Sequence, residues 1–364
     1  MPITSICFMN SNKPWGGGEK WHYDFARLCR DHGMRVLVVT NQPSELAEKL
    51  RPIDGIEVFS LPVSSLSFLN PFKRRKLKNK LREFGVQAMV MALPADVKLG
   101  GLAAKAAGVD KIIYRRGIGV ATKNTALNRH LLGQVITHLI INSENTGRTI
   151  LAHNPDMVPK ENIHLVHCGF DVSEFDRFPV QPLIEKRPGE VLIGNAGRLT
   201  HQKGQKHLIE AARILKDRGL SFRVLIAGKG ELEEELKGLA NDLDVTDCVE
   251  FLGFVSDMKS FNAYLDIFAL SSLFEGFCYA QVEAMVCEKP VVAFNVSSIP
   301  EVVSDGVTGY LVPEADSAAF AHKLEELIRD PELRARMGKA GRERVINEFE
   351  MMKTFRDFLA VLDK

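Results

Sequence analysis

Short runs of consecutive apolar residues alternate along this chain with longer stretches in which apolar positions recur every three or four residues. The runs fall at 3–9, 34–40, 56–61, 88–91, 111–114 and 138–142, and again at 190–194, 222–227, 249–252, 266–270 and 291–294. Runs this short and this continuous suit strands buried on both faces. The stretches between them have helical spacing, as with Trp21, Phe25 and Leu28. Regular strand and helix alternation predicts an α/β fold of parallel, doubly wound sheets, which bind ligands at the carboxyl ends of their strands. The pattern lapses once. Pro179, Pro182 and Pro188 punctuate a stretch without periodicity, which reads as an interdomain linker at 172–189. It separates a first domain, 1–171, from a second, 190–348, and a final helix at 349–364 again carries apolar residues at helical spacing.

Length agrees, since 364 residues suit about two domains. With 47 basic and 46 acidic residues the net charge is +1, so no global field draws the chain to nucleic acid. The local exception is Lys73, Arg74, Arg75, Lys76, Lys78, Lys80 and Arg82, beside Phe68, Phe72, Leu77 and Leu81. Such a segment suits an anionic membrane surface or acceptor; alternatively it is a solvated basic helix packing its leucines on the sheet. The six cysteines, Cys7, Cys29, Cys168, Cys248, Cys278 and Cys287, have neither disulfide-framework nor zinc spacing. Asp242 and Asp244 fall in a polar helix-to-strand connection and read as a capped loop, so no metal site is expected. Residues 1–9 lack the pattern of an export leader and no run reaches the ~18 apolar residues of a membrane span, so a cytoplasmic setting is expected.

Candidate chemistry gathers at 270–292. Glu275 and Gly276 stand in a loop, and Glu283 lies about a turn inside a helix beginning near Tyr279. A loop over Gly276, Phe277, Cys278 and Tyr279 at a helix start would aim backbone N–H groups and the positive end of the helix dipole at a ligand, which favours a phosphate. Two carboxylates beside a phosphate suit a sugar nucleotide, whose vicinal hydroxyls donate to them; an ordinary solvated helix start is the competing reading. Gly16, Gly17 and Gly18, at the first strand-to-helix turn, either cradle a ligand or simply make a tight connection. Beyond the fifth run, Arg116 either grips phosphate through paired hydrogen bonds or covers a strand end.

Glu275-Gly276-Phe277 followed by Glu283-Ala284-Met285, with seven residues between the glutamates, resembles the signature of family 4 retaining glycosyltransferases of the GT-B fold. A second match is Gly197-Arg198, four residues, and Lys203-Gly204. The stretch from Val166 through Gly169 to Asp171 is similar to the family's Asn-Gly-Val-Asp, and Ser297-Ser298-Ile299-Pro300-Glu301 to its Gly-Gly-Ile-Pro-Glu. The resemblance implies two Rossmann-like domains facing each other across a cleft, with the last helix crossing back onto the first. It implies a metal-independent, retaining transferase that needs no cofactor. The donor is a nucleoside-diphosphate sugar, UDP slightly favoured, and the acceptor a glycan or glycolipid in bacterial cell-surface polysaccharide or lipopolysaccharide synthesis. Arg198 and Lys203 would hold the diphosphate, Glu275 the transferred sugar and Glu283 the ribose. Gly253, Phe254 and Val255 would hold the base edge, and Gly16 and Gly17 would face pyrophosphate and acceptor. Two departures stand out: arginines where many members carry a histidine after the fifth strand, and Cys278, Tyr279 and Ala280 in place of a small residue and proline. A nucleotide-sugar 2-epimerase and a non-catalytic sugar-binding protein are the competing functions.

Overall fold

The computed structural model describes residues 2–182 and 184–364. The chain divides into two compact units, Met1–Gly169 with Met352–Lys364, and Phe170–Met351.

Unit 1 is built on seven strands: β1 (Ser5–Asn10), β2 (Arg35–Thr40), β3 (Ile56–Ser60), β4 (Ala88–Met91), β5 (Lys111–Arg116), β6 (His138–Ile141) and β7 (Ile163–Leu165). They pair in parallel in the order β3-β2-β1-β4-β5-β6-β7, with Cys7 of β1 opposite both Leu37 and Met89. Side chains alternate between the two faces. Cys7, Met9, Leu37, Met89, Met91, Ile112 and Leu139 share one face with Leu77, Leu81 and Phe84 of the helix Pro71–Phe84. On the other, Phe8 meets Trp21 at 6.3 Å, Trp21 stacks on Phe25 at 4.0 Å, and Phe25 meets Phe358 at 5.3 Å. Trp21 and Phe25 come from the helix Gly17–Asp31, whereas Phe358 comes from the last helix, Met351–Asp363.

Unit 2 is built on β8 (Val191–Ala196), β9 (Phe222–Ala227), β10 (Val249–Gly253), β11 (Ile267–Leu270), β12 (Val291–Phe294) and β13 (Gly309–Val312), again parallel, in the order β10-β9-β8-β11-β12-β13. Strands β7 and β13 are absent from the sequence reading. Each is an edge strand of three or four residues, only partly buried, so neither has the continuous apolar run that marks a central strand. A short helix, Val172–Arg177, occupies the start of the expected linker, capped by the Asp171 carboxylate accepting from the Glu174 N–H at 2.7 Å.

The basic segment is helical. Asn70 caps it, its Oδ1 accepting from the N–H groups of Phe72 and Lys73 at 3.0 and 3.1 Å, and Leu77 and Leu81 are buried on the sheet. Its cations divide. Lys80 pairs with Glu57 at 2.6 Å, Arg82 donates to the Ala106 carbonyl at 2.9 Å and Lys73 to the Pro62 carbonyl at 2.7 Å. Arg74, Arg75 and Lys76 stay exposed. Beside them Phe72 is 82% exposed, and Leu66 and Leu69 are each 66% exposed.

Candidate functional site

Strand order in unit 2 reverses between β8 and β11, the topological position at which such sheets open a ligand crevice outside their carboxyl ends. The loops leaving these two strands are joined to each other. Leu273 N–H donates to the Gln202 carbonyl at 2.8 Å, Gln202 Nε2 to the Phe274 carbonyl at 2.9 Å, and Ser271 Oγ to the Lys203 carbonyl at 3.1 Å. Gly204 makes this approach possible: its φ is +57°, and a Cβ there would stand 2.3 Å from the Ser271 carbonyl oxygen.

The side chains this junction presents are the ones the sequence singles out. Lys203, on the one-turn helix His201–Lys203, donates from Nζ to Glu275 Oε1 at 2.5 Å. Both groups are largely withdrawn from solvent, with side-chain exposures of 18% and 7%. Burial works against the charge on Lys203, yet the adjoining Cys278 and Glu275 outweigh it and leave the ammonium pKa above its ordinary value. Burial, and secondarily the Glu275 charge, pushes the Cys278 thiol up to about 12, so it is neutral near pH 7. Arg198 is exposed just beyond β8.

Glu275 is fixed through its backbone as well: Ser298 Oγ donates to its carbonyl at 3.0 Å. Reading the sequence gave Ser298 only as a departure from a glycine pair; no local signal announces a bond across 23 positions. Cys278, in the left-handed region at φ +60°, precedes the helix Tyr279–Val286, whose first turn and a half carries Glu283. Gly276 and the buried Phe277 lead into Cys278 in the same loop, and Tyr279 is the first residue of the helix. Gly253, expected to serve a base edge, ends β10 and accepts on its carbonyl from the Gly228 N–H at 2.7 Å, while Phe254 beside it is 75% exposed and Val255 half-buried.

Unit 1 has its own reversal, between β1 and β4. Asp96 sits there fully buried, accepting on Oδ2 from the N–H groups of Leu93 and Ser11 at 2.9 and 3.3 Å, and burial pushes its carboxyl up to about 7. Sequence reading missed it, because an isolated Asp after a strand carries no pattern. Gly16 and Gly17 lead into the helix Gly17–Asp31, in which Glu19 accepts from Asn10 Nδ2 at 3.0 Å and His22 Nδ1 meets the Gly18 carbonyl at 3.0 Å. Burial, with Arg115 nearby, lowers His22 to about 3 and keeps it neutral. Arg115 and Arg116, the last residues of β5, are both buried.

Residues 180–344 match the family described as glycosyl transferases group 1, and residues 15–174 match glycosyltransferase family 4. EpsD of Bacillus subtilis, a glycosyltransferase by name, is 29% identical over 346 residues, covering 89% of this chain and 88% of EpsD. The amylovoran biosynthesis glycosyltransferase AmsK of Erwinia amylovora is 34% identical over 214 residues, 57% of this chain and 52% of AmsK. Among solved structures, Anabaena Alr3699/HepE, crystallised with UDP and glucose, superposes with a TM-score of 0.81 over 99% of both chains at 22% identity. A glycosyltransferase from Rickettsia africae gives 0.87 over 99% of this chain and 98% of its own at 19% identity. These structural likenesses show the fold, GT-B, with its two doubly wound domains.

Proposed function

This chain belongs to the group 1, family 4 glycosyltransferases, and from that premise we propose that it moves a sugar, with retention of configuration, from a nucleoside-diphosphate donor to a glycan or glycolipid. The observation that carries the reading is the meeting of Lys203 and Glu275 at 2.5 Å, where the strand order of unit 2 reverses.

A nucleoside diphosphate gains negative charge as the glycosidic bond breaks, and cations fixed beside it lower that barrier without a divalent metal. Arg198 and Lys203 fill that role. Loss of one such donor costs about 2.7–4 kcal/mol of transition-state stabilisation. Donor entry exchanges partners: the Lys203 ammonium leaves the Glu275 carboxylate for the diphosphate, and the carboxylate accepts from sugar hydroxyls instead. Glu283 takes the ribose, the loop at Gly276, Phe277, Cys278 and Tyr279 lies along the phosphates, and the turn at Gly253, Phe254 and Val255 takes the base. Gly16 and Gly17, at the start of a helix in unit 1, serve pyrophosphate and acceptor.

AmsK and CapM are named for amylovoran and capsular polysaccharide synthesis, which supports an acceptor in bacterial cell-surface polysaccharide assembly. No helix among the described residues is long and apolar enough to cross a membrane. A cytoplasmic enzyme that docks on the anionic inner face of the plasma membrane through the helix Pro71–Phe84 fits the exposed Arg74, Arg75 and Lys76 beside Phe72.

HepE is solved with UDP-glucose, so UDP-sugars are the first donors to try. Titration calorimetry tests the assignment. Glu283→Gln is expected to weaken free nucleoside diphosphate and donor alike, and Glu275→Gln to weaken only the part of donor affinity that depends on the sugar. The reverse pattern would exchange the two roles, and wild-type protein that binds no nucleoside diphosphate would sink the reading.

A further inference from the structure

A carboxylate withdrawn from water needs hydrogen-bond donors for its oxygens, and an oxygen left open without one is available to a ligand. Glu19 is such a group. It is 5% exposed, and Asn10 Nδ2 donates to its Oε1 at 3.0 Å. Asn10, itself 1% exposed, is fixed in turn by accepting on Oδ1 from the Asn12 N–H at 3.0 Å. Among the described residues no donor reaches Glu19 Oε2, and that oxygen is not one of the polar atoms sealed from solvent. Glu19 lies in the first turn of the helix Gly17–Asp31, yet no backbone N–H of that turn donates to it, so capping the helix does not account for it.

The open oxygen lies over the glycine turn. A Cβ at Gly16 would stand 3.2 Å from Glu19 Oε2, and one at Gly18 would meet nothing within 4 Å. Gly17 between them is exposed. The turn thus offers bare backbone with a carboxylate oxygen at its side. Its approach is held in place, the Ser11 carbonyl accepting from Asn41 Nδ2 at 2.9 Å and the Lys13 carbonyl from the Glu45 N–H at 3.0 Å. It also leaves β1 where the strand order of unit 1 reverses, the position at which such sheets open a crevice for a ligand.

A carboxylate oxygen accepts from hydroxyls and repels other anions, so of the two ligands assigned to this turn it suits the hydroxyl-bearing acceptor and opposes a pyrophosphate. We propose that Glu19 is an acceptor-binding residue, its Oε2 accepting from a hydroxyl of a sugar that lies on Gly16, Gly17 and Gly18. The bond from Asn10 orients the carboxylate beforehand, and a hydrogen bond to an ionised oxygen is among the stronger ones. The inference rests on the transferase reading only in calling that sugar the acceptor. The sugar site itself is a property of unit 1.

Both tryptophans belong to unit 1 and Trp15 immediately precedes Gly16, so tryptophan emission follows this turn and not the donor loop of unit 2. The full-length chain is titrated with the methyl α-glycosides of glucose, galactose, N-acetylglucosamine and rhamnose and, separately, with inorganic pyrophosphate. At least one glycoside is expected to change the emission, and Glu19→Gln, whose amide oxygen still accepts from Asn10, should weaken its binding at least roughly tenfold. The same variant should hold pyrophosphate about fivefold more tightly, the effect of removing one charge about 4 Å away in water. Should Glu19→Gln fail to fold, Glu19→Asp keeps the charge and draws it back from Gly16, so glycoside affinity still falls while pyrophosphate gains nothing. Equal glycoside affinity in wild type and in either variant overturns the proposal, as does pyrophosphate held by wild type more tightly than every glycoside. Calorimetry with UDP separates the two readings. Unchanged UDP affinity in Glu19→Gln is expected. Wild type that ignores UDP while a glycoside still changes the emission would sink the transferase reading and leave the sugar site standing, whereas wild type that binds UDP and none of the glycosides overturns the sugar site alone.

Discussion

Replacing Lys203 with Met keeps the length of the side chain and removes its charge. Glu275 then retains a carboxylate that is only 7% exposed and has lost the ammonium 2.5 Å away. Breaking a buried pair by removing one partner costs about 3–5 kcal/mol, because the remaining charge stays desolvated. Glu275→Gln alone is milder, about 1–3 kcal/mol, since its amide oxygen still accepts from Lys203. The double variant has no stranded charge, so the two losses should not add, and a coupling of at least about 2 kcal/mol is expected across the cycle. Urea unfolding of wild type, both single variants and the double variant measures it. The probe matters. Both tryptophans, Trp15 and Trp21, belong to unit 1, so fluorescence would follow the wrong unit, and far-ultraviolet circular dichroism is the appropriate signal. Losses that add to within about 0.5 kcal/mol would refute the argument that the two groups stabilise each other.

Asp96 gives a pH signature. Its pKa is about 7 in the folded protein against an ordinary 3.8, so between those values the folded state holds a proton that the unfolded state has released, and stability falls as pH rises through the window. The shift of 7 − 3.8 corresponds to about 4 kcal/mol at pH 8; Asp96→Asn, which mimics the protonated carboxyl, should recover most of it and flatten the pH dependence of the urea midpoint, and an unchanged slope would contradict the assignment. For membrane docking, each basic residue near an anionic bilayer contributes about 1 kcal/mol, so changing Arg74, Arg75 and Lys76 to glutamine should weaken binding to phosphatidylserine vesicles at low salt by about 100-fold; co-sedimentation that does not change would reject docking through this helix.

The parts of this fold that could be read in advance are those with one physical cause. Strands β4 and β12 were legible to the residue, because a strand covered on both faces must be continuously apolar, whereas β7 and β13, at sheet edges, are under no such constraint. Lys203 and Glu275 were each visible as parts of a spaced motif, but their direct pairing was not, since 72 positions separate them and only the strand order brings them together. The seven cations of the basic helix looked equivalent in sequence. Which ones face solvent depends on Glu57, Pro62 and Ala106, contributed by other elements. Asp96 was invisible because burial alone gives it its properties.

The order in which the core of unit 1 becomes available differs from the order of its strands. All seven strands have been synthesised by residue 165, yet Phe355 and Phe358, which close over Phe25, come from residues made only after the whole of unit 2. Domains generally fold as they emerge from the ribosome, the N-terminal one first. Here the first sheet must wait, with Phe8, Trp21 and Phe25 lacking their aromatic lid, through the synthesis of nearly two hundred further residues, about 10–40 seconds at ordinary elongation rates. A nascent chain of this protein is therefore a natural client for a chaperone that shields apolar surface, and a stop codon anywhere before residue 355 would harm the unit encoded first.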